Sequence, residues 1–235
     1  VIILIVGGLG GIGQALVKRF ASEQPKAQIY ATYRTTKPNT EPNHVHWVEL
    51  DASREDDVRA LAKQLPDVDI LINATGLLHT PDKLPEKSIQ EFDPDFFNEN
   101  LKANTVPTLL LAKHFAKALK AKQTTYFVAL SARIGSISDN QLGGWISYRS
   151  AKAALNMALK TISIEWRYKL PNCCVLAFHP GTTDTALSVP FQKNVPPGKL
   201  FSADFVAQSL IDLLQSKQAS DSGGFYSYDG SAITW

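Results

Sequence analysis

The chain has 235 residues, 44% of them hydrophobic and 20% charged, an ordinary globular composition sufficient for one large domain or two small ones. A single domain of this size buries roughly three quarters of the surface that its unfolded chain exposes. A formal charge of +2 excludes a strongly basic or acidic balance, and with it any reason to expect nucleic acid or an anionic membrane as a partner.

The apolar run Val1–Val6 predicts a strand that ends at Gly7. It has no basic region before it and is too short for a signal peptide or a membrane span, and no later run reaches the ~18 apolar residues a span needs. Because this strand starts at the first residue, one or more residues are expected before Val1. Gln14–Phe20 belongs to the helix that follows, and Gln28–Tyr33 and Val45–Leu50 read as the second and third strands. Ser53 is expected to cap a helix that carries Val58, Leu61, Ala62 and Leu65 on one side and ends at Pro66. Val68–Asn73 is a fourth strand. Residues 77–94, charged and interrupted by prolines, read as a loop with room for a short helix. A long helix is expected over about Phe96–Ala121, kinked or interrupted at Pro107. Its Lys113, Lys117, Lys120 and Lys122 have helical spacing and read as a solvated face. Thr124–Ser131 is a fifth strand, Trp145–Tyr168 a helix, Cys173–Phe178 a sixth strand, Ala203–Gln215 a last helix and Gly224–Tyr228 a last strand.

Strands separated by helix-length connections pair in parallel through right-handed crossovers. The expected fold is therefore α/β, a doubly wound parallel sheet of about seven strands with helices on both faces. No internal repeat, low-complexity tract or long polar linker divides the chain, so residues 1–235 read as one domain. Cys173 and Cys174 are neighbours with no third cysteine to pair with, so neither a disulfide nor a cysteine metal site is expected. That usage suits a reducing cytoplasm.

The first strand runs directly into Gly7-Gly8-Leu9-Gly10-Gly11-Ile12-Gly13 and then a helix. Glycine accepts positive φ and lets a pyrophosphate approach without a Cβ in the way. The helix start offers unpaired N–H groups and a partial positive charge. In this strand–turn–helix setting the segment reads as a dinucleotide site, with Gly7, Gly11, Ile12 and Gly13 as candidate contacts. The end of the second strand should choose the cofactor, because a carboxylate about 20 residues after the glycines binds the ribose 2′-hydroxyl of NAD. This chain has Tyr33-Arg34-Thr35-Thr36-Lys37 there instead, and Arg34 suits the 2′-phosphate of NADP. NADP(H) is favoured, with NAD(H) left open.

Tyr148 and Lys152 stand four apart in a predicted helix and share a face. A phenol titrates near 10 and is a poor acid–base catalyst at neutral pH. An ammonium beside it stabilises the phenolate and eases donation and recovery of the proton. The spacing recurs by chance on amphipathic helices; joined to the glycine turn far upstream, it points to proton transfer beside a bound dinucleotide. Other chemistries have no support: no Gly-x-Ser-x-Gly elbow or P-loop lysine occurs, and the five histidines show no metal-ligand spacing. His79 and His179 read as structural or solvent-exposed, and Trp145, Trp166 and Phe115 as core or subunit-contact residues.

Taken together, these motifs resemble the short-chain dehydrogenase/reductase family, with its Rossmann-like fold, over essentially the whole chain. The glycine turn is similar to the family's Thr-Gly-x-x-x-Gly-x-Gly, with Val6 in place of the threonine. Asp51-Ala52 resembles the pair that contacts adenine, and Asn73-Ala74-Thr75-Gly76 resembles Asn-Asn-Ala-Gly with two interior substitutions. Asn104 falls where the family has a helix asparagine that holds a relay water. Tyr148-Arg149-Ser150-Ala151-Lys152 matches Tyr-x-x-x-Lys, and Pro180-Gly181-Thr182-Thr183-Asp184-Thr185 matches the Pro-Gly-x-x-x-Thr segment beside the nicotinamide. Arg133-Ile134-Gly135-Ser136-Ile137, Tyr148-Arg149 and the closing Asp229-Gly230…Trp235 are similar to the C-factor and sniffer-type carbonyl reductases.

The resemblance implies reversible carbonyl/alcohol interconversion, with Tyr148 as proton donor, Lys152 on the nicotinamide ribose and Asn104 linking Lys152 to solvent. One position departs from the pattern. The family's catalytic serine lies three residues before a glycine, and counting back from Gly135 gives Ala132. Ser131 fills the role if a small bulge or shifted register moves its hydroxyl, and is the expected catalytic hydroxyl; Ser136 is the less favoured substitute. The loop Ala186–Leu200, apolar at Leu187, Val189, Pro190, Phe191 and Leu200, should select the substrate and favours an aldehyde or ketone with hydrophobic surface. Assembly through the two long helices, usual in the family, implies a homodimer or homotetramer. The alternative is an NAD(P)H-binding signalling or regulatory protein without turnover, kept open by the missing second serine and opposed by the intact Tyr148, Lys152 and Asn104.

Overall fold

In β1 (Ile2–Val6), Ile3 and Ile5 face one side of the sheet and Leu4 and Val6 the other, and all four are fully buried. A strand apolar on both faces belongs inside a sheet that is covered on both sides. The computed structural model, which describes residues 1–38 and 44–235, has that arrangement. After β1 come α1 (Gly11–Glu23), β2 (Gln28–Tyr33), β3 (Val45–Glu49), α2 (Glu55–Gln64) and β4 (Ile70–Asn73). The middle of the chain forms α3 (Pro94–Asn104), α4 (Val106–Phe115), β5 (Thr125–Leu130) and α5 (Ile146–Lys169). The last part forms β6 (Cys173–His179), β7 (Thr182–Thr183), β8 (Leu200–Phe201), α6 (Ala203–Ser216) and β9 (Gly224–Ser227).

Seven strands pair in parallel in the order β3-β2-β1-β4-β5-β6-β9. Leu16 and Phe20 of α1 and Leu210 and Leu214 of α6 pack on the Ile3/Ile5 face. Val58 and Leu61 of α2, Phe115 of α4, and Leu155 and Trp166 of α5 pack on the Leu4/Val6 face. Strand order reverses between β1 and β4, whose last residues Val6 and Asn73 are in register. A crevice outside the carboxyl ends of strands at such a reversal is where open α/β sheets bind ligands. Among the described residues, no helix is long and apolar enough to cross a membrane.

Local details differ from expectation in two places. The helix read over 96–121 is two helices meeting at Thr105, and Pro107 lies in the first turn of α4, where its missing N–H breaks no internal bond. α4 stops at Phe115 because a turn then brings the Ala118 carbonyl to the Val68 N–H at 3.0 Å. Ser53 does not cap α2. Arg54 is the cap residue, and Ser53 instead gives its N–H and hydroxyl to Asp51 Oδ1 at 3.0 and 2.7 Å. The carboxylates Glu55, Asp56 and Asp57 in the first turn of α2 complement its dipole without a side-chain cap. The two-residue ladder of β7 with β8 was too short to show any alternation in the sequence.

Candidate active site

At the end of β1 the backbone turns through Gly7, whose φ is +82°. The Gly7 N–H donates to Thr32 Oγ1 and the Gly8 N–H to the Thr32 carbonyl, each at 2.9 Å, which ties the turn to β2. Gly10 caps α1 with no side-chain hydrogen bond, and the first turn of α1 carries no acidic residue. The leading N–H groups of that helix, from Gly11 to Gly13, thus have no intrahelical acceptor, which is the make-up of an anion receptor. A Cβ at Gly13 would stand 2.1 Å from the Gly7 carbonyl oxygen, and one at Gly11 would stand 2.4 Å from Thr185 Cγ2. The segment after β6 therefore closes over the glycine turn, bringing together two motifs from opposite ends of the chain.

Arg34 is exposed just after β2. Asp51 lies close enough to feel its charge. Burial pushes the Asp51 carboxyl up, but hydrogen bonds from Ser53 and the charges of Arg34 and Lys102 prevail and hold it below its ordinary value. Ala52 beside it is buried.

Asn73 ends β4 fully enclosed. Its Nδ2 donates to Thr108 Oγ1 at 2.8 Å, and its Oδ1 accepts from the Thr75 N–H and hydroxyl at 3.1 and 2.7 Å. Ala74 donates its N–H to the Val6 carbonyl at 2.8 Å, which holds this segment beside the glycine turn. Asn104 is buried at the end of α3, its Oδ1 accepting the Leu77 N–H at 3.1 Å and its Nδ2 donating to the Leu77 carbonyl at 2.8 Å. A Cβ at Gly76 would meet Asn104 Oδ1 at 3.2 Å and Lys152 Nζ at 3.7 Å, so Gly76, Asn104 and Lys152 converge.

Tyr148 and Lys152 project from the first turns of α5, both buried. Lys152 Nζ donates to the Leu130 carbonyl at 2.9 Å and lies 5.7 Å from the Tyr148 ring centroid. Burial pushes the Tyr148 phenol above its ordinary value and the Lys152 ammonium down to about 8. Enclosure thus works against both charged forms, and the ammonium is the nearby charge able to oppose the cost of a phenolate. His179, at the end of β6, accepts the Arg133 N–H on Nδ1 at 3.2 Å, and burial, aided by the Arg133 charge, pushes it down to about 4.

The bulge that would bring the Ser131 hydroxyl into the site is not formed. The ladder continues through Ser131 in register, its N–H donating to the Phe178 carbonyl at 2.8 Å, so no bulge shifts its side chain. Its buried hydroxyl donates to Asn156 Oδ1 at 2.5 Å. Asn156 follows Tyr148 by eight residues of α5, about 12 Å along the helix. Ala132 stands where the family's serine is expected, and Ser136 is occupied in the following turn, its Oγ accepting the Asp139 N–H at 3.2 Å.

Glu86, in the loop after β4, escaped the sequence reading. It is 1% exposed, and its carboxylate takes both the hydroxyl and the N–H of Ser147, next to Tyr148. The Glu86 carbonyl accepts the Trp145 N–H at 2.5 Å. Trp145 caps α5 with φ +54°, the one non-glycine residue with positive φ among the described residues. Its ring lies 6.5 Å from that of Tyr148 and 4.8 Å from that of Phe191, while His79 lies 5.9 Å from Phe191. No local sequence signal joins residue 86 to residue 147; the pairing is purely tertiary.

Comparison with known proteins finds similarity in sequence and in fold. The sequence profile described as short chain dehydrogenase matches residues 1–196. An uncharacterized oxidoreductase of Schizosaccharomyces pombe is 26% identical over 251 residues, covering 97% of this chain and 96% of that protein. The fold is similar to that of the NADPH-bound carbonyl reductase from chicken fatty liver, with a TM-score of 0.86 and 22% identity over 99% of this chain and 98% of that one. It is similar also to the carbonyl reductase Sniffer of D. melanogaster, with a TM-score of 0.85 and 23% identity over 99% and 98% of the two chains.

Proposed function

This chain belongs to the short chain dehydrogenase family and is an oxidoreductase, and from that premise we propose that it reduces an aldehyde or ketone with NADP(H), Tyr148 giving the proton. The observation that carries this reading is the convergence of Gly76, Asn104 and Lys152 beside Tyr148, in the crevice that the glycine turn opens. The residues present fit a nicotinamide dinucleotide: the turn has no room for a Cβ at Gly11 or Gly13, and the start of α1 is free of acidic side chains. Gly7, Gly11, Ile12 and Gly13 would hold its pyrophosphate, and Asp51 and Ala52 its adenine. Asn73, Ala74, Thr75, Gly76, Pro180, Gly181, Thr182 and Thr185 would line its path. When bound, the cofactor supplies the hydride.

Tyr148 donates its phenolic proton to the carbonyl oxygen. Lys152 opposes the cost of the buried phenolate, and Asn104, which converges with the lysine at Gly76, would link it to solvent. The oxygen is held without the help of Ser131. Because burial brings Lys152 down to about 8, its charge disappears within the working range of an assay. Below that value the ammonium is present; above it a neutral amine no longer stabilises the phenolate. Reduction is therefore expected to slow as pH rises through about 8, seen in a kcat profile at saturating cofactor and ketone. A flat profile up to about pH 9.5 would remove the lysine charge from the mechanism.

Arg34 carries the cofactor preference, supported by the NADPH in the similar chicken carbonyl reductase. Arg34→Ala is expected to weaken NADPH binding roughly 10- to 100-fold, the worth of a charge-assisted hydrogen bond, and to change NADH binding little. Titration of each nucleotide, followed by nicotinamide fluorescence, tests this directly. Tighter binding of NADH to the unmodified protein would assign NAD(H) instead.

Two further readings complete the proposal. An apolar groove of about 580 Å³ between α4 and α5, lined by Leu109, Ala112, Met157 and Trp166, leaves Met157 66% exposed. It supports assembly into a homodimer or homotetramer through these helices. The two cysteines are free and buried, with thiols pushed by burial up to about 12, which suits a place in the cytoplasm.

A further inference from the structure

Trp145, Phe191 and His79 are half-buried and lie next to Tyr148 in a chain of ring contacts that proton transfer does not use. In a packed core such rings would be sealed, as Phe127 and Phe115 are. Here the neighbours Leu187 and Val189 are exposed as well, the latter by 60%. His79 Nε2 is buried with no hydrogen-bond partner among the described residues. An apolar wall carrying an isolated polar atom is the lining of a ligand cleft.

The wall is also held deliberately in place. Trp145 adopts a left-handed backbone conformation that L side chains seldom take, and such strain persists only where surrounding contacts over-determine it. Those contacts come from Glu86, through its carbonyl to the Trp145 N–H and its carboxylate to Ser147. The Trp145 and Phe191 planes meet at 56°, forming a wedge rather than a closed stack. The Trp145 ring stands edge-on to that of Tyr148, 6.5 Å between centroids, so the wedge borders the residue that a carbonyl oxygen would meet.

We infer that Trp145 and Phe191 form a specificity wall, held by Glu86 as a positioning residue, that selects carbonyl compounds carrying an aryl group on the reacting carbon. This rests on the reading of Tyr148 as proton donor to a carbonyl. Aromatic rings prefer tilted and edge-to-face contacts with one another, beyond what their buried area supplies. A saturated ring of the same size fills the wedge without that gain.

The test compares acetophenone with cyclohexyl methyl ketone, using NADPH, in the unmodified protein and in Trp145→Leu and Phe191→Leu. The two ketones differ in intrinsic reactivity, but that difference cancels when their kcat/KM ratio is compared between proteins. In each variant the aryl-to-cyclohexyl ratio is expected to fall roughly 2- to 12-fold, the effect of one lost ring pair. An unchanged ratio in both variants overturns the wall. Phe191 lies on a separate segment between β7 and β8 and is not the residue with strained backbone, so Phe191→Leu carries the test even if Trp145→Leu fails to fold. Should the unmodified protein reduce neither these ketones nor the matching aldehydes, benzaldehyde and cyclohexanecarbaldehyde, the carbonyl reductase reading falls, and calorimetric titration of both ketones onto the NADP+-loaded protein judges the wall by binding alone. Aryl preference that is lost in Phe191→Leu then upholds it, and equal affinities overturn it.

Discussion

Tyr148→Phe is expected to lower kcat for carbonyl reduction by about 10²- to 10⁴-fold, the usual worth of a positioned general acid. The exchange removes a single oxygen. The ring can keep its edge contact with Trp145, and the Lys152 ammonium keeps its hydrogen bond to the Leu130 carbonyl. Neither the fold nor the glycine turn should notice, so NADPH binding is expected to stay within about threefold and the melting temperature within a few degrees. No neighbour stands ready to substitute. Ser131 is committed to Asn156, and His179, pushed down to about 4, has no extra proton to give at neutral pH. Steady-state turnover measured together with nucleotide titration separates the outcomes. A loss below about tenfold, with binding intact, would remove Tyr148 as the proton donor.

Gly13→Ala is expected to be the most damaging single methyl group at the nucleotide end of the crevice. Its Cβ would stand 2.1 Å from the Gly7 oxygen, 2.9 Å from the Gly7 carbonyl carbon and 3.1 Å from the Gly8 Cα, all of them backbone atoms. No rotamer change can relieve that contact; α1 must move away from the turn, and its leading N–H groups move with it. Overpacking of this kind costs about 1–3 kcal/mol, so NADPH affinity should fall roughly 10- to 100-fold and the melting temperature by several degrees. Gly10→Ala is the matched control. Its backbone is extended at φ −65°, and a Cβ there meets nothing nearer than the Gly7 oxygen at 3.3 Å. It should bind NADPH nearly as the unmodified protein does. Equal affinity in both variants would mean that the turn does not seat the pyrophosphate.

Features of this molecule that repeat a local rule were readable from the chain alone. The sheet was, because β1, β5 and β6 are apolar on both faces and each is followed by a helix-length connection. The approach of Tyr148 to Lys152 was, because helix geometry dictates it. Arg34 and Asp51 could be placed at the ends of their strands for the same reason. Ser131 could not be judged, since whether a ladder bulges depends on the partner strand, and here Phe178 holds it in register. Ser53 failed as a cap because α2 starts at Glu55, which puts Arg54 in the cap position and Ser53 one residue before it. The break at Thr105 came two residues before the proline that announced it, as a proline prefers the first turn of a new helix to the middle of an old one. Glu86 and the wall it holds were illegible for a deeper reason: residues 86, 145 and 191 carry no periodic relation, and their meeting is a product of the finished fold.

The hydrogen bonds from Glu86 to the start of α5 bear on the order in which the molecule is made. This helix has no side-chain cap of its own and borrows one from a segment 61 residues upstream. Until that segment docks, the helix starts with frayed N–H groups and Trp145 is free to leave its unfavourable conformation. The first turn of α5 is thereby completed only when that segment docks, while the rest of the helix has its own internal hydrogen bonds. The position of Tyr148, one residue beyond Ser147, thus depends on a contact made across 61 residues of chain and not on its own helix alone.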